Sequence, residues 1–215
     1  MTTRDQSSID QICRDLYGET RDFLERNEIN PPFGFKILNG PPIRNAEILF
    51  IGYQPGGSEK DAKEERTKGT DRGWPPICEY AIETWPLAPR MRQVFGAERL
   101  KRCVGTNAIF LRYPNANRYR RELSSKRNDI EKFCTEKVAI IVEAIEPKQI
   151  VTIGFATLKM FGPTKPELIS ESERRYALTK TGKVANREAL GIIHLSGARP
   201  SRSDLTRLAS HLQAQ

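Results

Sequence analysis

Three short apolar runs constrain the fold of this chain more than any other feature of its sequence. Each run is followed directly by a glycine or a histidine, and the three occupy 48–51, 150–153 and 190–193. Continuous apolar residues over this length are typical of strands that are buried on both faces of a parallel sheet. The segment 104–110 is a fourth strand candidate. We therefore expect a central, mostly parallel four-stranded sheet.

Amphipathic segments lie between the strand candidates and predict helices. Apolar residues recur at helical spacing near the start of the chain, which predicts an N-terminal helix over 7–26. The clearest pattern runs from Asn128 to Ile145, where Asn128 and Glu131 resemble a capping box. Ser203 is the expected cap of a final helix. Strands that alternate with helices indicate a three-layer α/β/α fold, in which helices cover both faces of the sheet.

Size and charge narrow the class of protein further. A chain of 215 residues that is 38% hydrophobic can bury one core, so we expect a single domain over 1–215. A formal net charge of +8 favours anionic partners, either nucleic acid or an acidic membrane surface, and does not choose between them. No apolar run approaches the roughly 20 residues that span a bilayer, and no signal-peptide pattern opens the sequence. We expect a cytoplasmic monomer without a membrane partner, in which the charged stretch 164–188 forms an insertion.

The cysteines and histidines argue against a metal site. Cys13, Cys78, Cys103 and Cys134 contain no C-x-x-C pair, and the chain has only two histidines. A multi-histidine metal site is therefore excluded. Buried free thiols are the simplest interpretation of the four cysteines.

Ligands in open α/β sheets bind beyond the carboxyl ends of the strands, so the residues after each apolar run are candidate site residues. The glycines of 52–59 could bring backbone N–H groups close to a phosphate, although a plain strand-to-helix turn is the simpler explanation. Asn107 adds an amide to the fourth strand candidate, which suits a pyrimidine edge or else bridges two loops. His194 could donate to a leaving group as a neutral imidazole, or could be a core residue.

These segments together resemble the motifs of the uracil-DNA glycosylase superfamily. The sequence has G-x-x-P-G at 52–56, T-N-A at 106–108, Y-P-N-A-N-R at 113–118 and H-x-S at 194–196. The asparagine run, Cys134 and the stretch 145–154 are nearest to the iron-sulfur-containing branch of that superfamily. The resemblance covers roughly residues 45 to 205, in the right order.

The resemblance implies a uracil-DNA glycosylase-like fold and the removal of uracil, or a related modified base, that is flipped out of DNA. Asn107 would recognise the base, with Gly52 and Tyr53 beside it. His194 would stabilise the departing base as the glycosidic bond breaks, and Gln54 would orient a water. An aromatic partner that stacks on the base is also implied. Its candidates are Tyr53, Trp74 and Tyr80.

Contacts with DNA are implied for three parts of the chain. The turn after the first strand would hold the target strand, and the loop after the last strand would press into the minor groove. The basic run 118–127 would contact phosphates, although an ordinary solvated loop is an alternative. The residues implied in DNA contact are Pro55, Gly56, Gly57, Ser196, Gly197, Arg199 and Arg118.

Several departures from the family pattern bear on the chemistry. Gln54 stands where several branches carry Asp or Asn, so it brings no negative charge to a water. Leu111 stands where the cluster-containing branch has a cysteine, and we expect no iron-sulfur cluster, no metal and no other cofactor. Leu195 replaces the usual proline of the H-P-S loop. The basic run 118–127 lacks the histidine through which one branch bonds covalently to DNA.

Three functions fit these residues. The first is a monofunctional base-excision DNA glycosylase. The second is a DNA- or base-binding protein of the same fold that is catalytically weak or inactive, because Gln54 cannot act as a carboxylate does. The third is an enzyme that acts on a small molecule, such as a free nucleoside, in the same cleft.

Overall fold

Five strands and the helices between them make up the framework of the protein. The computed structural model describes residues 3–60, 62–63, 74–164, 176–198 and 200–213. The strands are β1 (Ile48–Gly52), β2 (Val104–Asn107), β3 (Gln149–Ile153), β4 (Thr179–Val184) and β5 (Arg187–Ile192). The helices used in the description are α1 (Thr3–Arg26), α2 (Glu79–Ile82), α3 (Leu87–Phe95), α4 (Ala97–Leu100), α5 (Ala116–Glu122), α6 (Arg127–Ile145), α7 (Phe155–Lys159) and α8 (Arg202–Gln213).

The strands form one mostly parallel sheet in the order β2-β1-β3-β5-β4. Strands β2, β1, β3 and β5 run parallel, and β4 pairs antiparallel with β5. The α/β class and the four predicted parallel strands are confirmed, but the expectation of a four-stranded sheet is wrong. The fifth strand, β4, escaped prediction because it lies at the edge of the sheet and is rich in lysine and threonine instead of forming an apolar run.

Helices cover both faces of the sheet, because successive side chains of a strand point to opposite faces. Leu49 and Ile51 of β1 join a core cluster that includes α1 and α6. Ile48 and Phe50 of the same strand join a second cluster that includes α3 and α8. The predicted three layers are therefore confirmed, and the sheet is buried between two separate cores.

The start of α6 differs from the sequence expectation. This helix begins at Arg127 after Lys126, and no side chain caps it, so the predicted capping box of Asn128 and Glu131 is wrong. Glu131 instead accepts a hydrogen bond from Arg127 Nε at 2.7 Å. The N-terminal helix is confirmed, but it begins at Thr3 and not at residue 7.

The last helix, α8, is capped by Ser201 and not by the predicted Ser203. The Asp204 N–H donates to Ser201 Oγ at 3.1 Å, and the Ser201 N–H donates to Asp204 Oδ2 at 3.0 Å. This reciprocal pair is a capping box that uses an aspartate, and it satisfies backbone donors at the start of the helix. Tyr176 Oη also donates to Asp204 Oδ2 at 2.6 Å, which ties the helix start to the segment before β4.

An irregular segment that includes Lys36 and Asn39 lies along β2, the outer strand of the sheet. The backbone N–H groups of Lys36 and Asn39 donate to the carbonyls of Phe110 and Gly105, each at 2.8 Å. Strand β2 ends earlier than predicted, because the chain beyond Asn107 bonds to this segment and to the loop after β1. The carboxyl end of β2 is therefore held from both sides.

Three further expectations concern the insertion, the cysteines and the membrane. The charged stretch 164–188 contains β4 and the turn into β5, while 165–175 lies outside the described residues. All four cysteines are buried and free, as predicted, and burial raises the pKa of each thiol to about 12. Within the described ranges, no helix is both long enough and apolar enough to cross a membrane.

Candidate functional site

The three predicted site segments lie at the carboxyl ends of the parallel strands. Gly52 ends β1, Asn107 ends β2, and His194 follows the end of β5. These strands are parallel, so their carboxyl ends lie at the same edge. Three strand spacings of about 4.8 Å separate β2 from β5, which puts the backbones of Asn107 and His194 about 14 Å apart. The two side chains can therefore contact opposite sides of one ligand, but not each other.

Asn107 is buried against Gly52, its register partner in the neighbouring strand. Only 3% of Asn107 is exposed. A Cβ atom on residue 52 would lie 2.5 Å from Asn107 Oδ1, so only glycine leaves room for the amide. Asn107 Nδ2 is buried and has no hydrogen-bond partner within the described part of the chain. Because a buried donor without a partner costs about 1–3 kcal/mol, Nδ2 marks a place where a ligand or a water would bind.

His194 is held as a neutral imidazole. The Gly197 N–H donates to His194 Nδ1 at 2.9 Å, so Nδ1 carries a lone pair and the ring proton lies on Nε2. Burial lowers the pKa of His194 below its ordinary value of 6.5. The ring lies beside Gly154, where a Cβ atom would be 3.5 Å from His194 Cδ2. At neutral pH, His194 can therefore donate one hydrogen bond from Nε2.

The loop after His194 is fixed to the end of the strand. Gly197, an expected DNA contact, is exposed, and its N–H is engaged by the His194 ring. Ser196 Oγ lies 3.4 Å from the same ring nitrogen. Leu195, which replaces the proline of the family pattern, is fully buried in the core cluster that includes α8. The predicted DNA contact Arg199 lies outside the described residues.

In the turn after β1, packing requires a glycine at position 57 but not at position 56. Phe33 packs against Gly57, where a Cβ atom would lie 2.5 Å from Phe33 Cδ2. Gly56 is exposed, and a Cβ atom there would meet nothing within 4 Å. Its carbonyl accepts a hydrogen bond from Arg112 Nε at 3.1 Å, and the preceding Pro55 is buried. The backbone at Gly56 is therefore open to an approaching group.

Gln54 is oriented by the segment that follows β2. Its Nε2 donates to the Tyr113 carbonyl at 3.3 Å. Its Oε1 is buried and has no hydrogen-bond partner among the residues that the structure describes. An amide oxygen in this state can accept a hydrogen bond from a water. Unlike a carboxylate, it carries no charge and takes up no proton.

The structure separates the three aromatic residues that were candidates for stacking on a base. Tyr80 is 2% exposed and packs edge-on against two other aromatic rings, so it is a core residue. Trp74 is half-buried, and Arg14 Cζ of α1 lies 5.2 Å from its ring centroid. Tyr53 is half-buried and directly follows the strand end at Gly52. Of the three, Tyr53 is the one that directly follows a strand end of the site.

Sequence analysis missed a second aromatic residue at this edge, Phe155. It is half-buried and follows Gly154 at the end of β3, and Lys180 Nζ of β4 lies 4.9 Å from its ring centroid. Tyr53 has a similar neighbour, because Arg120 Cζ lies 4.8 Å from the Tyr53 ring centroid. The signal that could have found Phe155 is a repeated pattern, since an aromatic residue follows the glycine at two strand ends.

Most of the basic run 118–127 is paired within the protein. Arg118 and Arg127 each donate from Nε to a glutamate four positions later, at 2.6 and 2.7 Å. Lys126 Nζ donates to a backbone carbonyl just after α1. The Arg118 side chain is 45% exposed, so a phosphate would compete with its glutamate for the guanidinium. The run is thus largely an internally paired surface.

The fold and the site define an α/β protein with a polar, partly unpaired site at the carboxyl edge of a mostly parallel sheet. Among the described residues, no group of three or more histidine, cysteine, aspartate or glutamate side chains could hold a metal ion. No protein-family model matches this chain, and no curated protein sequence matches it significantly.

Proposed function

We propose that this protein is a DNA glycosylase with a uracil-DNA glycosylase-like fold, which hydrolyses the N-glycosidic bond of uracil or a related modified base flipped out of DNA. One observation carries the proposal. At one edge of the sheet, the Asn107 amide has a donor without a described partner, and the His194 imidazole has its proton on Nε2. A flipped base needs one group that recognises its polar edge and another that stabilises it as it leaves. The net charge of +8 also favours an anionic partner.

Base recognition is assigned to Asn107. Its amide offers a donor and an acceptor, and the edge of uracil offers a carbonyl and an N–H in return. Gly52 admits the amide to the strand end, since a side chain there would collide with it. Tyr53 follows Gly52 directly, which supports a role for its ring as one wall of the base pocket.

Cleavage of the bond between the sugar C1′ and the base nitrogen leaves both electrons on the base. The base departs as an anion, and the sugar becomes an oxocarbenium ion that a water captures. The His194 Nε2–H would donate to the base oxygen on which negative charge develops. Gln54 Oε1 would accept a hydrogen bond from the water and direct it at C1′. The proton that the water loses passes to solvent, because the Gln54 amide cannot take it up.

The DNA strand would lie along the turn after β1 and the loop after β5. The exposed and unobstructed backbone at Gly56 supports a close approach by a phosphate. Phosphate contacts of this kind position a nucleic acid without reading its sequence. The residues assigned to DNA contact are Pro55, Gly56, Gly57, Ser196, Gly197, Arg118 and Arg199.

Gln54 favours a second function, a DNA-binding protein of the same fold with weak or no catalysis. Its amide cannot accept a proton from a water, and its Nε2 is already engaged by the Tyr113 carbonyl. Such a protein would retain DNA that contains a modified base without producing an abasic site. In that case, Gln54→Asp would bring a charged group to the water and should raise cleavage.

Incubation of the purified full chain with labelled oligonucleotides separates these functions. The oligonucleotides contain uracil, hypoxanthine, xanthine or hydroxymethyluracil, and alkali then cleaves any abasic site. A cleaved product supports the glycosylase and identifies the base. Salt-sensitive retention without product supports the binding protein. Failure of both cleavage and retention contradicts both functions, and base release from a free nucleoside would then indicate a small-molecule enzyme.

His194→Ala is the most direct variant for the proposed chemistry. Because it removes a donor that acts only as the bond breaks, kcat should fall by about 10²–10³-fold with little change in KM. His211→Ala is the matched control. The neighbouring Leu212 carbonyl binds Arg99, whose guanidinium also binds Glu47 just before β1, so this histidine lies toward the opposite edge of the sheet. Equal rates for His194→Ala and the unchanged protein would rule out the assignment.

A further inference from the structure

Two aromatic rings at the carboxyl edge of the sheet each have a cation from another element beside them. Tyr53 follows β1, and Arg120 Cζ lies 4.8 Å from its ring centroid. Phe155 follows Gly154 after β3, and Lys180 Nζ lies 4.9 Å from its ring centroid. Strands β1 and β3 are neighbours in the sheet. The two aromatic–cation pairs therefore follow adjacent strands, but on opposite faces of the sheet, because the Tyr53 ring packs against the core cluster that includes α1 and α6 and the Phe155 ring packs against the cluster that includes α3 and α8.

The two cations come from elements at the two outer strands of the sheet. Arg120 belongs to α5, which follows β2 at one edge, and Lys180 belongs to β4 at the other edge. Phe155 directly follows Gly154, where a Cβ atom would lie 3.5 Å from Cδ2 of the His194 ring, so Phe155 is close in the chain to the part of the site that contains His194. A ligand that contacts both Asn107 and His194 would therefore have a cation toward each of its two sides.

Neither cation has a carboxylate partner in the described ranges. Arg120 Nε donates to Tyr53 Oη at 3.0 Å, which among the residues that the structure describes uses one of the five N–H groups of the guanidinium. Arg118 and Arg127, in the same basic run, are by contrast bound to glutamates. A cation that is held by a ring at a partly exposed site is held weakly. As far as the described ranges go, an anion can therefore attract Arg120 and Lys180 without first breaking an ion pair.

We propose that Arg120 and Lys180 bind two phosphates of the nucleic-acid strand, one on each side of the flipped nucleotide. This inference rests on the proposed function. It assigns phosphate binding to one particular residue of the basic run 118–127 and to Lys180, which lies outside every segment expected to contact DNA. Each cation moves from its ring to a phosphate oxygen when the strand binds. The Arg120 guanidinium presents a planar fork to its phosphate, and the Lys180 ammonium presents a compact charge.

The salt dependence of DNA binding tests this assignment. The full chain is titrated onto a fluorescent uracil-containing oligonucleotide, single-stranded or duplex according to which the unchanged protein binds more tightly, at several NaCl concentrations. Arg120→Gln and Lys180→Gln should each reduce the slope of log K against log salt by about 0.7–0.9. If affinities converge near 1 M salt, each variant should bind about five- to eightfold more weakly at about 0.1 M. Arg120→Lys and Lys180→Arg should keep the original slope.

The double variant Arg44→Gln/Lys183→Gln is the matched control, because it removes two positive charges from the opposite edge of the sheet. Arg44 binds Glu146 at 2.7 Å beside the end of α6, and Lys183 lies 3.9 Å from Glu188 beside the turn between β4 and β5. This control should bind with the slope of the unchanged protein. An equal loss of slope in the control and in Arg120→Gln/Lys180→Gln would mean that total charge sets affinity, which would overturn the inference.

Cleavage kinetics distinguish failure of the inference from failure of the proposed function. The two glutamine variants should raise KM about fivefold at unchanged kcat, because the phosphates are bound equally before and during bond cleavage. Unchanged slopes in both variants, with normal cleavage by the unchanged protein, overturn the inference and leave the proposed function standing. A fall in kcat alone assigns the cations to the departing base and also overturns it. If the unchanged protein neither cleaves nor retains DNA, the proposed function fails and this inference fails with it.

Discussion

Asn107 combines burial with an amide donor that has no described partner, so the residue should contribute more to function than to stability. Asn107→Ala should change the free energy of unfolding by less than about 0.5 kcal/mol, because relief of the unpaired donor offsets the lost contacts. The same change at Asn115, whose Oδ1 accepts from the Arg118 N–H and caps α5, should lower it by about 1 kcal/mol. Urea denaturation measures both. A loss of about 2 kcal/mol or more at Asn107 would mean that its amide is already satisfied in the free protein.

His194 links folding to pH through its lowered pKa, which burial causes. The unfolded chain takes up a proton on this imidazole near pH 6.5, whereas the folded protein resists protonation to a lower pH. The unfolded state therefore binds more protons below about pH 6.5, and the free energy of unfolding should fall as the pH drops through this window. His194→Gln should show a smaller fall between about pH 7.5 and about pH 5.5 in urea titrations. Parallel pH profiles for both proteins would contradict the assignment.

The identities of the main site residues could be predicted from the sequence, because Gly52, Asn107 and His194 lie at the ends of strand patterns. The tautomer of His194 and the hydrogen bonding of Asn107 could not be predicted in this way. The tautomer of His194 depends on a backbone N–H in the loop that follows it, and the unpaired donor of Asn107 depends on neighbours from other strands. Lys180 was missed as a site residue, and Arg120 was expected only as one member of the basic run 118–127, because contact between a cation and an aromatic ring leaves no regular spacing in a sequence.

At the scale of elements, the cap of α8 provides a test of how this helix begins. Ser201 Oγ accepts from the Asp204 N–H at 3.1 Å, so Ser201→Ala should lower the free energy of unfolding by about 1 kcal/mol. Ser203→Ala should lower it by less, because Ser203 lies inside the helix and reaches the cap only through the 2.9 Å hydrogen bond between its hydroxyl and Ser201 Oγ. Equal losses for the two variants, measured by urea denaturation, would contradict this assignment of the cap.

The success of the strand predictions and the failure at the edge have the same physical cause. Strands β1, β3 and β5 are buried on both faces for most of their length, so burial leaves a run of apolar residues. Strand β2 is also buried but contains Thr106 and Asn107, and its prediction depended on the apolar residues that follow it at 108–110. Strand β4 is half exposed, and its lysines and threonines give no such run. Helix starts were less predictable than strands, since Arg127 pairs with Glu131 and occupies the side chain expected to cap α6.

For the molecule as a whole, the buried cysteines make thiol reactivity a measure of global unfolding. Cys13 and Cys134 lie in the core cluster on one face of the sheet, and Cys78 and Cys103 lie in the cluster on the other. Burial raises the pKa of each thiol to about 12, and the thiolate is the reactive form. A thiol reagent at about pH 8 should therefore modify all four only as the protein unfolds. Faster modification of one pair would show that one face opens independently.

The close contact between Gly52 and Asn107 also limits how the protein can diversify. A Cβ atom at position 52 would lie 2.5 Å from Asn107 Oδ1, so a substitution there requires the amide to move or position 107 to become smaller. Directed evolution of this site should therefore find its substitutions at residues around Gly52 and Asn107, while the pair itself is retained.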